Sequence, residues 1–245
     1  MYPAAGPLGY NRPMAPGTSI AAILGKTTLF GSLGQADRLT VAAQMHRMTF
    51  KQGQTIFSRG DPGREVYLVG EGTVRLSVFS SDGRTLSFKH ANAGEIFGEI
   101  ACLDGGPRSA DATAITRVAV MTLAQARLNS LIETNPRVAQ AAITFLCQRL
   151  RDTSEQSEAI ALHPIEVRLA RFFLSRCKHR DAAAGGNRIS FDLGMSQSEL
   201  ALLIGASRQK VNAALALLEE EGAVKRTGSR VGCNVARLQR LAASA

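Results

Sequence analysis

Residues 97–114 read Phe-Gly-Glu-Ile-Ala-Cys-Leu-Asp-Gly-Gly-Pro-Arg-Ser-Ala-Asp-Ala-Thr-Ala. This stretch, called the cassette below, places a glycine turn, a carboxylate, an arginine and a serine in a loop between two strand-like runs. Gly98 lets a ligand approach the backbone closely because it has no Cβ. Arg108 offers a planar fork of donors that fits phosphate oxygens, Ser109 adds a hydroxyl, and Glu99 accepts from sugar hydroxyls. The cassette therefore predicts a site for a small ligand that carries a phosphate and a ribose.

The cassette closely resembles the phosphate-binding segment of cyclic-nucleotide-binding domains in the CRP/FNR family of bacterial transcription regulators. The family pattern is Phe-Gly-Glu, a short apolar stretch, a variable gap and Arg-Ser-Ala, all present here. The resemblance implies that Arg108 and Ser109 hold a cyclic phosphate and that Glu99 binds the ribose 2′-hydroxyl. The ligand-binding set in the cassette is then Gly98, Glu99, Ile100, Ala101, Arg108 and Ser109. Without the resemblance, a Gly-rich surface turn with an ion pair between Glu99 and Arg108 is the alternative.

The composition predicts a folded, basic protein. The chain has 245 residues, 45% of them hydrophobic, which suits one large domain or two small ones. Its formal net charge of +9 favours a polyanionic partner, either nucleic acid or an anionic membrane surface. Residues 164–245 hold 13 Lys and Arg against 7 Asp and Glu, an excess of 6. The last third is therefore the expected nucleic-acid-binding module, with a solvated basic surface as the alternative.

Several functional classes lack their sequence signals. No apolar run is long enough for a membrane span, and no basic segment followed by an apolar run marks a secretory signal. The four cysteines, at positions 102, 147, 177 and 233, form no Cys-x-x-Cys pair. We expect reduced, mostly buried thiols in a cytoplasmic protein, and not the iron–sulfur cluster that some family members hold through clustered N-terminal cysteines.

Signals for enzymatic chemistry are missing as well. The four histidines show no metal-ligand spacing such as His-x-x-x-His, and no Gly-x-Ser-x-Gly motif occurs. His163, which precedes Pro164, is expected to be a hinge residue or an ordinary surface side chain. The sequence therefore predicts a protein that is not an enzyme and that needs no metal or cofactor.

The N-terminal part begins with a segment unlike the rest. Residues 1–18 contain four prolines and three glycines and are predicted to form a flexible tail. A helical segment is expected over residues 20–45, with Leu29, Phe30 and Leu39 as apolar anchors.

A β-rich region follows. Residues 48–123 alternate short β-prone runs with turn signals, of which Asp82-Gly83 is a strong hairpin signal. Short strands at this spacing predict a barrel or roll. The predicted β-roll domain, which is also the family's cyclic-nucleotide-binding domain, spans residues 19–136.

One long helix is predicted over residues 137–163, because Pro136 suits a first helical turn and Pro164 ends the helix. Spacings of four and three alternate along it, as in a heptad seam. The seam residues are Ala139, Ile143, Leu146, Leu150, Thr153, Ser157 and Ile160. The polar break in the second half marks either a register or a ligand held between partner helices. A lone helix that packs its stripe on the β-domain is the alternative.

The family resemblance extends to this helix. In cyclic-AMP receptor proteins adjacent Thr and Ser residues meet the adenine, and Thr153-Ser154 match that pair. The resemblance implies that Thr153 contacts the base from its own subunit and Ser154 from the partner of a homodimer. Hydroxyls suit adenine without excluding guanine, so cyclic AMP is the implied effector and cyclic GMP the other candidate. Arg149 is expected near the pocket as a supporting charge, or else as a solvated side chain.

A winged helix-turn-helix domain is predicted over residues 164–245. Ser196 and Glu199 fit a capping box, Gly205 fits the tight turn, and Ser207 fits the N-cap of a second helix. The apolar contacts between the two helices would come from Leu200, Ile204, Val211 and Leu215. This pattern is typical of DNA-binding proteins.

The second helix is expected to read DNA with its N-terminal residues. Arg208 suits guanine, Gln209 suits adenine, and Lys210 suits phosphate. The predicted DNA-binding set is Ser207, Arg208, Gln209, Lys210, Asn212, and Arg226 and Arg230 of the wing. The best-known receptor pattern has Arg-Glu and a second Arg four residues after the Glu, whereas this chain has Arg208-Gln209 and Ala213. Only the guanine contact of Arg208 therefore carries over.

Together these expectations describe an α+β chain with an N-terminal β-roll, a long dimerisation helix and a C-terminal winged helix-turn-helix. The predicted function is a cyclic-nucleotide-responsive transcription regulator that binds double-stranded DNA as a homodimer, with cyclic AMP as effector. RNA polymerase is the further partner that the resemblance implies, and no membrane is expected. The alternative keeps the fold with cyclic GMP, cyclic di-GMP or no ligand. A haem or redox sensor on the same fold is the remaining rival.

Overall fold

The computed structural model describes residues 20–79, 85–178 and 187–243. Its helices are α1 Ile20–Leu24, α2 Gln35–Ala43, α3 Glu99–Asp104, α4 Gln125–Thr134, α5 Pro136–Leu162, α6 Ile165–Lys178, α7 Gln197–Ile204, α8 Arg208–Glu220 and α9 Val235–Ala243. Its strands are β1 His46–Phe50, β2 Thr55–Phe57, β3 Glu65–Glu71, β4 Thr73–Phe79, β5 Thr85–Asn92, β6 Ile96–Phe97, β7 Asp111–Ala114, β8 Val118–Ala124, β9 Arg188–Asp192, β10 Val224–Thr227 and β11 Arg230–Asn234. The predicted tail and the Asp82-Gly83 turn lie outside the described residues.

Two compact units divide the chain after residue 151, within α5, and residues 84–88 are grouped with the second unit. The first unit contains two four-stranded sheets, in the orders β1-β8-β3-β6 and β2-β7-β4-β5, apart from the first residues of β5. Neighbouring strands such as β1 and β8 pair in antiparallel register. This arrangement confirms the β-roll. Its core includes Leu68, Leu123, Leu128 and Phe145, so that strands, α4 and α5 share one apolar interior.

The single helical segment predicted over residues 20–45 is wrong, because the chain turns between α1 and α2. The Thr27 hydroxyl donates to the last carbonyl of α1 at 2.8 Å and accepts from the Phe30 N–H at 3.0 Å. A side chain thereby satisfies the backbone groups that a continuous helix would use. Leu29 and Phe30 are fully buried as anchors, whereas Leu39 is 52% exposed and is not one.

The sequence predicts that the cassette is a loop, but in the structure only part of it is one. Gly98 and Gly105 have φ angles of 74° and 73°, and they begin and end the short helix α3. The last part of the cassette is β7, which pairs with β2 and with β4. The backbone of this last part is therefore fixed within the roll, and the loop proper is limited to residues 105–110, which include Arg108 and Ser109.

Helix α5 has two different apolar faces. The Asn135 side chain accepts from the Arg137 N–H at 3.0 Å and caps its first turn. One face packs into the first unit through the buried residues Val138, Ala141, Ala142 and Phe145. The predicted seam lies on another face, where Ile143, Leu146 and Leu150 are 56%, 37% and 68% exposed. The seam is therefore not the stripe that packs on the β-domain, and that alternative is wrong.

The second unit contains the predicted winged helix-turn-helix. Strands β10, β11 and β9 form an antiparallel three-stranded sheet, and α6, α7, α8 and α9 share a core with it. His163 lies between α5 and α6 with its side chain only 10% exposed, so it is not a surface residue. Within the described ranges, no helix combines the length and hydropathy of a membrane span.

The cysteines agree with the sequence expectation. Cys102, Cys177 and Cys233 are buried, Cys147 is exposed, and all four are free. Burial raises the pKa of Cys102 to about 11, so its thiol stays protonated at neutral pH and is a poor nucleophile.

Candidate functional site

Arg108 lies inside the first unit with only 4% of its surface exposed. Its guanidinium carbon is 4.2 Å from the ring centroid of Phe57 and 5.3 Å from that of Tyr67. Nη1 donates to the Gly98 carbonyl at 2.8 Å, while Nε is buried without a hydrogen-bond partner. A buried cation with an unmet donor is well suited to receive an anion such as a phosphate.

Gly98 is required by this arrangement for two reasons. Its φ of 74° is in the left-handed region, which side chains disfavour. A Cβ at this position would lie 2.7 Å from Arg108 Nη1 and 3.1 Å from the ring of Tyr67. The glycine therefore lets the guanidinium lie directly against the backbone of the cassette.

Glu99 and Arg149 are brought together from positions fifty residues apart. Glu99 is 5% exposed, and Arg149 Nε donates to its Oε1 at 3.1 Å. Arg149 Nη2 also donates to the Ile96 carbonyl at 2.6 Å. Arg149 is thus not a solvated side chain, and the burial of Glu99 and Arg108 rules out a surface turn.

The remaining cassette residues differ in exposure. Ile100 is 43% exposed and Ser109 is exposed, so both could meet a ligand. Ala101 is 2% exposed and packs so closely on Gly63 that a Cβ there would lie 2.1 Å from the Ala101 Cβ. Ala101 therefore supports the backbone of the cassette by packing.

Sequence reasoning missed the aromatic residues around Arg108. Tyr67 opposes Phe97 in the register of β3 and β6, and their rings stack with centroids 4.9 Å apart. The ring centroid of Phe57 lies 5.6 Å from that of Tyr67. Burial, followed by the charge of Glu65, raises the pKa of Tyr67 to about 12, and its hydroxyl donates to Glu65 Oε2 at 3.2 Å. The only sequence signal was an aromatic residue in each of two strand-like runs.

The two hydroxyl residues assigned to the base lie further along α5. Thr153 and Ser154 are exposed, and they follow Arg149 by about one helical turn. The Thr153 carbonyl accepts from the Ser157 hydroxyl at 2.9 Å, within the helix.

The helix-turn-helix has the predicted caps. The Ser196 hydroxyl accepts from the Glu199 N–H at 3.1 Å, and the Ser207 hydroxyl accepts from the Lys210 N–H at 3.3 Å. Gly205, with a φ of 70°, ends α7. The predicted contact residues Leu200, Ile204, Val211 and Leu215 are all buried in the core of the second unit.

The N-terminus of α8 presents its side chains to solvent. Ser207, Arg208, Gln209 and Lys210 are exposed, and Arg208 lies at the first helical position. Asn212 is half-buried, and its Oδ1 is buried without a hydrogen-bond partner. The exposed cationic end of α8 has the form that a major groove admits.

Arg226, predicted to contact phosphate, also makes a structural ion pair in the second unit. Its Nη2 donates to Glu219 Oε2 at 2.6 Å, and its backbone N–H donates to Oε1 at 3.0 Å. This hydrogen bonding lowers the pKa of Glu219 and raises that of Arg226. Arg226 therefore fastens the wing to α8, and its charge is matched by a carboxylate. Arg230 remains exposed at the wing.

We expect Glu219→Gln to lower the free energy of unfolding by about 1 kcal/mol at neutral pH, because the charged pair is lost. The pKa of Glu219 is lowered in the folded protein from its ordinary 4.5. Its contribution is therefore complete above that value and disappears as the pH falls through the folded pKa. Urea denaturation over a pH series measures whether the free energies of unfolding of the variant and the wild-type protein converge at low pH. A difference in free energy of unfolding that stays constant with pH would contradict the prediction. The matched control is Glu220→Gln, which replaces an exposed carboxylate on α8.

The sequence matches two domain families in chain order. Residues 47–135 match the family described as cyclic nucleotide-binding domain, and residues 167–243 match the Crp-like helix-turn-helix domain. Both described units therefore contain a recognised domain.

Two relatives match over four fifths or more of this chain. The CRP-like cAMP-activated global transcriptional regulator of Mycobacterium tuberculosis is 30% identical over 210 residues, covering 85% of this chain and 93% of the relative. The cyclic AMP receptor protein of Thermus thermophilus is 31% identical over 197 residues, covering 80% of this chain and 88% of the relative.

Solved structures share the fold. FixK2 from Bradyrhizobium japonicum gives a TM-score of 0.72 at 24% identity and covers 82% of this chain and 98% of its own. The c-di-GMP responsive regulator CLP from Xanthomonas campestris gives a TM-score of 0.65 at 25% identity and covers 78% of this chain and 94% of its own.

Proposed function

The chain belongs to the CRP/FNR family of transcription regulators, and we propose on that premise that it acts as a homodimer whose effector is cyclic AMP. Because it contains both a cyclic nucleotide-binding domain and a Crp-like helix-turn-helix domain, the chain is a cyclic-nucleotide-responsive regulator that binds DNA. The choice of ligand class rests on Arg108, which is buried and whose Nε has no hydrogen-bond partner. The same cassette holds the buried carboxylate of Glu99. A cation for the phosphate and an acceptor for the ribose hydroxyl thus stand in one cassette.

Cyclic AMP is the proposed effector for two reasons. The relatives in Mycobacterium tuberculosis and Thermus thermophilus carry names that specify cyclic AMP. Thr153 and Ser154 offer exposed hydroxyls on α5, and a hydroxyl can accept from the exocyclic amine of adenine. The similarity to the c-di-GMP responsive CLP keeps cyclic di-GMP as the second candidate, beside cyclic GMP.

The dimer is supported by the outer stripe of α5, formed by Ile143, Leu146 and Leu150. These residues are exposed in a single chain although they follow a heptad spacing. A second copy of the same stripe would cover them, since two identical apolar faces complement each other about a twofold axis. Thr153 and Ser154 lie on the same helix, which would bring a ligand to the interface.

The proposed mechanism links the ligand to the spacing of the two α8 helices. Binding in the cassette and at Thr153-Ser154 favours the dimer in which these helices lie about one DNA turn, roughly 34 Å, apart. A complete switch needs a preference of ~10⁴-fold for that state over the other. The DNA-bound dimer would then act on transcription through RNA polymerase.

The test is selection of binding sites from random DNA with and without cyclic AMP. We expect inverted-repeat sites with half-sites about one helical turn apart to be enriched only with the nucleotide. Their affinity should fall linearly with salt on a log–log plot, because bound phosphates release counterions. Equal enrichment without nucleotide would contradict the ligand dependence, and enrichment with cyclic di-GMP alone would change the effector.

Arg208→Ala should relax the sequence preference at one base pair of each half-site. The loss of a bidentate contact to guanine corresponds to about 1–3 kcal/mol of discrimination. Binding to a panel of single-base variants measures the preference. Lys210→Ala is the matched control, since a phosphate contact should weaken binding to every sequence alike. An unchanged preference in Arg208→Ala would show that α8 does not read that base with this side chain.

A further inference from the structure

The guanidinium of Arg108 is held inside the first unit largely by aromatic rings. Its carbon lies over the ring of Phe57, 4.2 Å from the centroid, and 5.3 Å from the centroid of Tyr67. Nη1 donates to the Gly98 carbonyl, whereas Nε is buried without a hydrogen-bond partner. A buried donor without a partner loses the hydrogen bond that water would give it. The rings therefore hold the side chain in a position that its own hydrogen bonding does not favour.

The backbone brings Arg108 to the end of β2, the strand that carries Phe57. The Arg108 N–H donates to the Asp61 carbonyl at 2.8 Å, and the Arg108 carbonyl accepts from the Gly60 N–H at 2.9 Å. Asp61 Oδ2 in turn accepts from the Ser58 N–H at 2.8 Å, which fixes the turn after β2. The contact between the cation and the ring of Phe57 is therefore set by the backbone of the roll.

Phe57 is itself fixed by two other aromatic residues. Its ring centroid lies 5.6 Å from that of Tyr67 and 6.0 Å from that of Phe97. Tyr67 and Phe97 are buried, whereas Phe57 is half-buried. The negative face of an aromatic ring attracts a cation more strongly where water is excluded. Because Arg108 is buried, its contact with Phe57 is of this stronger kind.

We propose that Phe57 is a positioning residue that holds the Arg108 guanidinium in its buried position before a cyclic nucleotide arrives. The inference rests on the proposed binding of the phosphate by Arg108. Without the ring face, the unmet Nε donor favours a guanidinium displaced toward water. A nucleotide then binds only the fraction of molecules in which the side chain has returned, and its apparent affinity falls by that fraction. Phe57 thus acts on the phosphate through Arg108.

The first test needs no nucleotide and follows the Arg108 Nε–H proton of the full chain by NMR. Its resonance is identified by its absence in Arg108→Leu. We expect slow exchange of this proton with water in the wild-type protein, because Arg108 is buried. In Phe57→Leu it should exchange as fast as in exposed Arg117, since leucine is apolar but has no ring face. Equal protection in Phe57→Leu and the wild-type protein would overturn the proposal.

The second test changes the charge on the ring face and keeps the packing. Phenylalanine analogues with one, two or three ring fluorines replace Phe57 in the full chain, and calorimetry gives the Kd for cyclic AMP. Fluorine withdraws electrons from the ring face, so the Kd should rise with each fluorine, to about tenfold with three. The same analogues at Phe79, which is exposed at the end of β4, are the control and should leave the Kd unchanged.

The two tests separate this inference from the proposed function. A Kd that is the same for all analogues at Phe57 overturns this inference alone, because a side chain that only fills space is insensitive to the charge on its ring face. Failure of the wild-type protein to bind any cyclic nucleotide would instead overturn the proposed function. Exchange of the Arg108 Nε–H would then still decide whether Phe57 holds the guanidinium in place.

Discussion

Arg108→Leu should raise the Kd for cyclic AMP by at least about 100-fold, a loss of about 3 kcal/mol. The guanidinium is buried between Phe57 and Tyr67 and has an unmet donor at Nε, so a bound phosphate would lose its principal cation. Titration calorimetry on the full chain gives the Kd. The same substitution should abolish any increase of DNA affinity that cyclic AMP produces.

The control for this variant is Arg117→Leu, which removes an exposed arginine before β8. It should bind the nucleotide as the wild-type protein does, although it has the same loss of charge. Thermal denaturation without nucleotide separates a folding defect in Arg108→Leu from a binding defect. Undiminished affinity in a folded Arg108→Leu protein would contradict the assignment of the cassette.

The double variant Leu146→Asp, Leu150→Asp should be monomeric and should bind operator DNA at least about 100-fold more weakly. Both side chains are exposed in the single chain, so their replacement leaves the core of the first unit intact. Carboxylates facing each other across a twofold axis would be desolvated without a partner. A monomer also loses the gain in effective concentration that joins two half-site contacts.

Sedimentation velocity and DNA titration measure these two effects on the same samples. Leu39→Asp is the control, because Leu39 is 52% exposed on α2 and outside the seam of α5. It should remain a dimer with unchanged DNA affinity. A double variant that still sediments as a dimer would show that the outer stripe of α5 is not the interface.

Features that depend on neighbours in the sequence could be predicted from the sequence. Ser196 and Ser207 cap α7 and α8, because an N-cap needs only a hydroxyl and an N–H three residues later. The close approach at Gly98 was predicted for a ligand, whereas the group that the structure places against its backbone is the guanidinium of Arg108. The single helix over residues 20–45 was wrong because Thr27 bonds the backbone on both sides, which residue periodicity does not reveal.

Features that depend on distant partners could not be predicted. In the sequence Arg226 is only a basic residue of the predicted wing. Its ion pair with Glu219, 2.6 Å between Nη2 and Oε2, is seen only in the structure. Glu99 and Arg149 are fifty residues apart in the sequence, and only the fold brings their side chains to 3.1 Å from each other. In each case the partner is chosen by three-dimensional packing, for which a single sequence carries no periodic signal.

The sequence by itself determined the order of the domains, the caps of α7 and α8, and the chemistry of the cassette, because these depend on residue types at short spacings. Tertiary structure alone decided that Phe57 and Tyr67 enclose Arg108 and that Arg149 pairs with Glu99. It also decided which apolar face of α5 is buried and which is left for a partner. The physical reason is that burial and charge pairing depend on the chain's path in space, whereas capping and turn formation depend on a few consecutive residues.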